Sequence, residues 1–132
     1  MAKKADSDQL RKAFEEHEKQ TQGQVERLEK VFAMMSEKPK GEKCPAIEGL
    51  VKEAEELMGE IKDRDTLDAA MIAAAQAVEH YEISRYGTLV SWSEQLNMKD
   101  AARTLSQTLD EEKQTDVKLT KLAEGRLNKQ AA

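Results

Sequence analysis

Apolar residues recur every three or four positions along most of this chain, which is the period of an amphipathic helix. In the first stretch the stripe runs Leu10, Phe14, His17, Thr21, Gln24, Leu28, Val31 and Met35. In the third it runs Met71 or Ile72, Ala75, Glu79, Glu82, Tyr86 and Leu89. In the fourth it runs Leu105, Leu109, Glu112, Asp116, Leu119 and Ala123. The second is the shortest, with Ile47, Leu50, Ala54, Leu57 and Ile61 and no polar interruption.

Start and stop signals bound these stripes. Asp6 or Ser7 can cap a first helix from Asp8 to Glu37, because a short side-chain oxygen accepts from free helix amides. Pro39 and Gly41 then break the chain. Pro45 suits the first position of a second helix ending near Lys62. Asp65 or Thr66 is the expected cap of a third, Leu67 to Glu94. A break near Asn97-Met98 precedes a fourth, Asp100 to Asn128. Helices of this length reach roughly 40 Å. The spacing predicts an all-α fold: an up-down bundle of four helical segments in one domain over residues 1–132, with frayed tails at 1–7 and 129–132.

Composition agrees. Charged residues are 36% of the chain and aromatics 4%, with few Gly or Pro, so sheets are not expected. Net charge is −5 and no Lys or Arg block stands out, which argues against nucleic acid or an acidic membrane as partner. The longest uncharged run, Ala69 to Val78, is too short to span a bilayer. With no secretory signal pattern and one cysteine, Cys44, the sequence points to the cytoplasm. Cys44 reads as structural or incidental, and Trp92, Tyr81 and Phe32 as core or interface aromatics. His80 sits about 100° round the helix from Glu79 and falls off the stripe.

Three stripes share one feature. Each is apolar at its ends and polar in the middle: His17, Thr21 and Gln24; Glu79 and Glu82; Glu112 and Asp116. Packed side by side, these middles fall at one level. A buried carboxylate is costly unless paired or bound to metal. Several together raise one another's pKa, and divalent cations would neutralise them. Carboxylates with an imidazole favour iron(II) or manganese(II). No Gly-rich phosphate loop, zinc-type cysteine spacing or nucleophile elbow is present.

The strings His17 to Glu29, Glu79-His80-Tyr81-Glu82-Ile83, Tyr86-Gly87-Thr88-Leu89 and Leu109 to Asp116 resemble the YciE/YciF-type ferritin-like stress proteins of bacteria. Cys44 to Leu50 also fits. The resemblance covers nearly the whole chain. It implies a ferritin-like helical fold, a homodimer, a stress-response role and an unproven activity. It also implies kinship with carboxylate proteins that hold two iron ions or manganese. Carried over, the inward polar residues are His17, Gln20 or Gln24, Glu79, Glu82, Glu112 and Asp116. The usual Glu-x-x-His pair is missing, since neither His17 nor His80 has a Glu three residues earlier. Family members begin with a further long helix, and Met1-Ala2-Lys3-Lys4 resembles its end. A chain without that helix would leave one wall to a partner.

Two functions compete. In the first, His17, Glu79, Glu82, Glu112 and Asp116 hold a di-metal centre of an oxidase, peroxidase or iron-sequestering kind. In the second, the inner residues form a metal-free hydrogen-bond network of His17, Thr21, Gln24, Tyr86 and protonated carboxylates in a structural or binding protein.

Overall fold

The computed structural model describes residues 1–132, apart from the side chain of Arg126. Ser7 caps the first helix, α1 (Asp8–Met34), by accepting from the Leu10 amide at 3.4 Å. The helix ends three residues before Glu37 because Ser36 takes a left-handed φ of 58°. The Glu37 amide then donates back to the Phe32 carbonyl at 3.0 Å, satisfying a free helix end. Pro45 opens α2 (Pro45–Glu60).

The third helix, α3 (Arg64–Gln95), starts three residues earlier than expected. Asp63, not Asp65 or Thr66, is its cap, accepting from the Thr66 amide at 2.8 Å. Asn97, again left-handed at φ 58°, reverses the chain into α4 (Lys99–Leu122). Asn tolerates that conformation better than most residues. The stripe expected to continue to Asn128 changes pitch: a π-helical turn over Ala123–Leu127 precedes a last short helix, α5 (Asn128–Ala131). The turn keeps Ala123 and Leu127 buried.

Around the bundle, α1 packs on α4, α4 on α3 and α3 on α2, while α1 and α2 hardly touch. Leu10 and Phe14 meet Leu119, Ala123, Met71 and Ile72 at one end. Val31 meets Tyr86, Ala101 and Leu105 at the other. So α4 runs antiparallel to both α1 and α3. The two apolar clusters leave a polar level between them, where the three stripes change character. This is the all-α, up-down arrangement that the periodicity predicts.

Some stripe positions face outward. Thr21, Met35 and Leu89 are exposed. Thr21 instead donates to the carbonyl of His17 at 3.0 Å. A straight helix drifts about 20° per heptad, so a strict heptad reading loses the inner face over a long helix. Beyond Gly87 the inner positions on α3 are Val90 and Ser93 rather than Leu89. Trp92, expected in a core or interface, is 62% exposed. No described helix is long and apolar enough to cross a membrane.

The first residues pack against the bundle. Ala5 is 3% exposed, and Met1 and Ala2 pack on the core. Asp68, 1% exposed, fixes them. Its two carboxylate oxygens accept from the amides of Asp6 at 2.9 Å and Ser7 at 2.7 Å. At the other terminus, Asn128–Ala131 form a mostly exposed helical turn. Asp68→Ala would remove both acceptors and leave two amides without partners. It should destabilise the fold by about 2–3 kcal/mol in urea unfolding, and Asp68→Asn by less. A loss below about 0.5 kcal/mol for Asp68→Ala would show that the clasp is not structural.

Candidate metal centre

The polar level is built from three helices. His17 comes from α1, Glu79 and Glu82 from successive turns of α3, and Glu112 from the middle of α4. One ligand atom from each lies within 4.8 Å of those of the others. Glu79 is 2% exposed and Glu112 fully buried, while His17 and Glu82 are half-buried.

His17 Nε2 stands 3.1 Å from Glu79 Oε1, and its Nδ1 stands 3.3 Å from Thr115 Oγ1. With the proton on Nδ1, the ring donates to Thr115 and turns the Nε2 lone pair toward the carboxylates. That is the tautomer a metal would take. With both nitrogens protonated, Nε2–H donates to Glu79. The Glu79 hydrogen bond raises the His17 pKa above its ordinary value, against the opposing effect of burial.

The carboxylates are poorly satisfied. Glu79 Oε2 and both oxygens of Glu112 are buried with no hydrogen-bond partner. Burial, then the neighbouring Glu79 and Glu82, pushes the Glu112 carboxyl up to about 8. Burial first, then Glu79, also raises Glu82. Burial and the charges of Glu82 and Glu112 push the adjacent Tyr86 hydroxyl up to about 12. Nearby acids are treated otherwise. Glu111 takes two bonds from Arg27, at 2.7 and 2.5 Å, and one from buried Gln24 at 3.2 Å. The Arg27 bonds hold the Glu111 carboxyl below the usual range.

The structure brings together four of the five residues expected to meet: His17, Glu79, Glu82 and Glu112. Asp116 does not join them. It lies one turn beyond Glu112 and accepts from Gln76 Nε2 at 2.8 Å, with His80 Nε2 at 3.0 Å. A step of four residues carries a helix about 40° past a full turn, enough to move this side chain to the α3 flank. His80, off the stripe as expected, is exposed and serves as that partner. Of the two glutamines left open, Gln24 is buried but serves Glu111, and Gln20 is half-buried. The Arg27–Glu111 fork escaped the sequence reading because both residues look like ordinary surface charges. Cys44 is also apart from the cluster. Its Sγ lies 2.9 Å from the Tyr81 hydroxyl, which lowers the thiol pKa.

The family model described as "Domain of unknown function (DUF892)" matches residues 1–132. Protein YciF of Escherichia coli K12 is 47% identical over 132 residues, covering 99% of this chain and 80% of that protein. The crystal structure of the E. coli stress protein YciF superimposes with a TM-score of 0.92 at 46% identity, covering 97% of this chain and 81% of that one. YcfI of Rhodopseudomonas palustris, whose description gives it a structural role only provisionally, superimposes at 0.88. It is 50% identical, over 90% of this chain and 76% of its own. The match runs through the three helices that carry the cluster, and the chain belongs to the DUF892 family of YciF-like proteins.

Proposed function

We propose that this protein is a ferritin-like stress-response protein that binds iron(II) or manganese(II) through His17, Glu79, Glu82 and Glu112. The stress role follows its likeness to the E. coli stress protein YciF. One observation supports the metal above the rest: Glu112 is fully buried and neither of its oxygens meets a donor. Three carboxylates and one imidazole are hard ligands of the kind these ions take. The set is sufficient for one ion. A carboxylate-bridged pair, as the family resemblance implies, needs water or further protein oxygens to complete it. When bound, the ion would supply redox chemistry toward oxygen or peroxide, or the oxidation and retention of iron.

The protein's own residues prepare the site. Thr115 orients the His17 ring, and Tyr86 and the flanking apolar clusters limit water. The metal-free network fares less well. Thr21 is turned outward and Gln24 is engaged by Glu111, which leaves only His17 and a protonated Glu112 as donors toward Glu79. The same proposal includes the homodimer. Exposed Leu89, Trp92 and Leu96 share one face at the end of α3 and form an apolar patch suited to a second copy.

Three outcomes test this function. Anaerobic dialysis against manganese(II) or iron(II), followed by elemental analysis, should give at least one ion per chain. The loaded protein should melt several degrees higher, since roughly 100-fold excess over Kd stabilises by about 2.7 kcal/mol. Glu79→Ala with Glu112→Ala should abolish both effects, and equal melting shifts in variant and wild type would refute the site.

The metal-free protein should respond to pH. Glu112 titrates near 8 when folded, against an ordinary 4.5, and His17 is raised above 6.5. Both bind more protons folded than unfolded. Their stabilisation is therefore fully present below the ordinary values and lost as pH rises through the folded ones. Melting should fall by several degrees between about pH 6 and pH 8.5, and Glu112→Gln should flatten the slope. An equal slope in that variant would remove Glu112 from the account. In sedimentation, Trp92→Glu should shift a dimer toward monomer; an unchanged dimer would place the interface elsewhere.

A further inference from the structure

Helix α4 holds five basic and five acidic residues, yet the fold sorts them by face. Glu112 is buried in the cluster, Glu111 is held by Arg27, and Asp116 is turned to Gln76. The outward face of the second half of α4 keeps Lys113, Val117 and Lys121, at steps of four on one exposed stripe. Val117 is 50% exposed between the two lysines. Exposed Asp110 and Glu124, each seven residues from Val117, close the stripe at its ends.

The opposite sign gathers on α2. Its 16 residues hold five glutamates against one lysine, so this helix carries −4 of the chain's −5. Glu53, Glu56 and Glu60, at steps of three and four, form one exposed ridge. Lys52 and Lys62 bound it in sequence. At 1.5 Å per residue, Lys113 to Lys121 spans about 12 Å and Glu53 to Glu60 about 11 Å. Nearby charges are already used: Lys118 is paired with Glu16, and Glu56 with Lys52 at 3.6 Å. Among the described residues, Lys113, Lys121, Glu53 and Glu60 enter no ion pair. Since α2 packs on α3 while α4 packs on α1 and α3, the stripe and the ridge of one chain stay apart.

We propose that the outward face of α4 docks the acidic ridge of α2 from a second copy, head to tail. Lys113 and Lys121 pair with Glu53 and Glu60, and Val117 is covered between them. Sign and length together fix this occupant. A long polyanion such as a nucleic-acid strand would run past the two lysines onto Asp110 and Glu124, whereas the ridge ends where the stripe does. The two surfaces differ, so each copy keeps one free stripe and one free ridge, and association is open-ended. Opposite charges steer the encounter and set its register more than they add affinity, which makes the contact sensitive to salt. It is independent of the metal and of the apolar patch at the end of α3.

Sedimentation of the full chain over a range of protein concentrations tests this. At about 0.01 M salt, where charges act over about 30 Å, the average mass should rise at least about twofold above its value at about 1 M, where they act over about 3 Å. Lys113→Ala with Lys121→Ala should abolish the rise, and so should Glu53→Ala with Glu60→Ala. All four positions are exposed, and circular dichroism should show both variants folded. An equal mixture of the two should form a complex, because one retains the ridge and the other the stripe. Lys113→Glu, Lys121→Glu, Glu53→Lys and Glu60→Lys in one chain should restore the rise. No salt-dependent rise, a rise unaffected by the lysine variant, or a mixture that stays apart overturns the proposal. A rise lost in the lysine variant but kept in the glutamate variant overturns α2 as the occupant.

Discussion

The architecture turns on two buried carboxyl groups, Glu79 and Glu112, facing each other inside an apolar bundle with three of their four oxygens unpartnered. An ionised carboxylate in such surroundings is unfavourable by several kcal/mol unless something replaces its water. The fold sets this problem deliberately far from the chain ends. Leu10, Phe14, Ile72 and Leu119 pack on one side, and Val31, Tyr86 and Leu105 on the other. These clusters hold three helices at the spacing that brings His17 and Glu82 to the same point. Rigid apolar layers make the carboxylates meet; without them, the side chains would turn out to water.

The rest of the molecule serves as an internal control. Where an acid is structural, this chain equips it with donors. Asp68 has two backbone amides, Glu111 has Arg27 and Gln24, and Asp116 has Gln76. Each of these pairs also ties segments together: the chain start to α3, α1 to α4, and α3 to α4. Glu112 is more deeply buried than Glu111 beside it in sequence, yet neither of its oxygens has a partner. The same helices that satisfy three acids leave a fourth open, in direct reach of an imidazole. That contrast sets Glu112 apart from the acids that tie segments together.

Much of this was legible in the sequence, because helical periodicity and burial are both local consequences of side-chain type. The four helices, a cap at Asp6 or Ser7 and the polar middles of three stripes follow from spacing alone. So do His17, Glu79, Glu82 and Glu112 as one group. What failed has a common cause. A stripe read in steps of three and four does not say which of two adjacent residues points inward. On α4 the choice after Glu112 lay between Thr115 and Asp116. Thr115 reaches His17, while Asp116 turns to Gln76 and His80. The Asp68 clasp was hidden for another reason: its partners are backbone amides, which carry no side-chain signature.

The cavity between α1 and α2 shows the same physics in reverse. The stripe of α2 is Ile47, Leu50, Ala54, Leu57 and Ile61, and only Ala54 is deeply buried. At the level of the cavity, α1 offers Ala13 and α3 offers Ala75. Larger side chains at these three positions would close the gap and stabilise the bundle by burying more apolar surface. Small residues from three helices at one level instead leave the gap unfilled, next to an unsatisfied carboxylate. Bundles fill such space readily, since any of several apolar residues would fit.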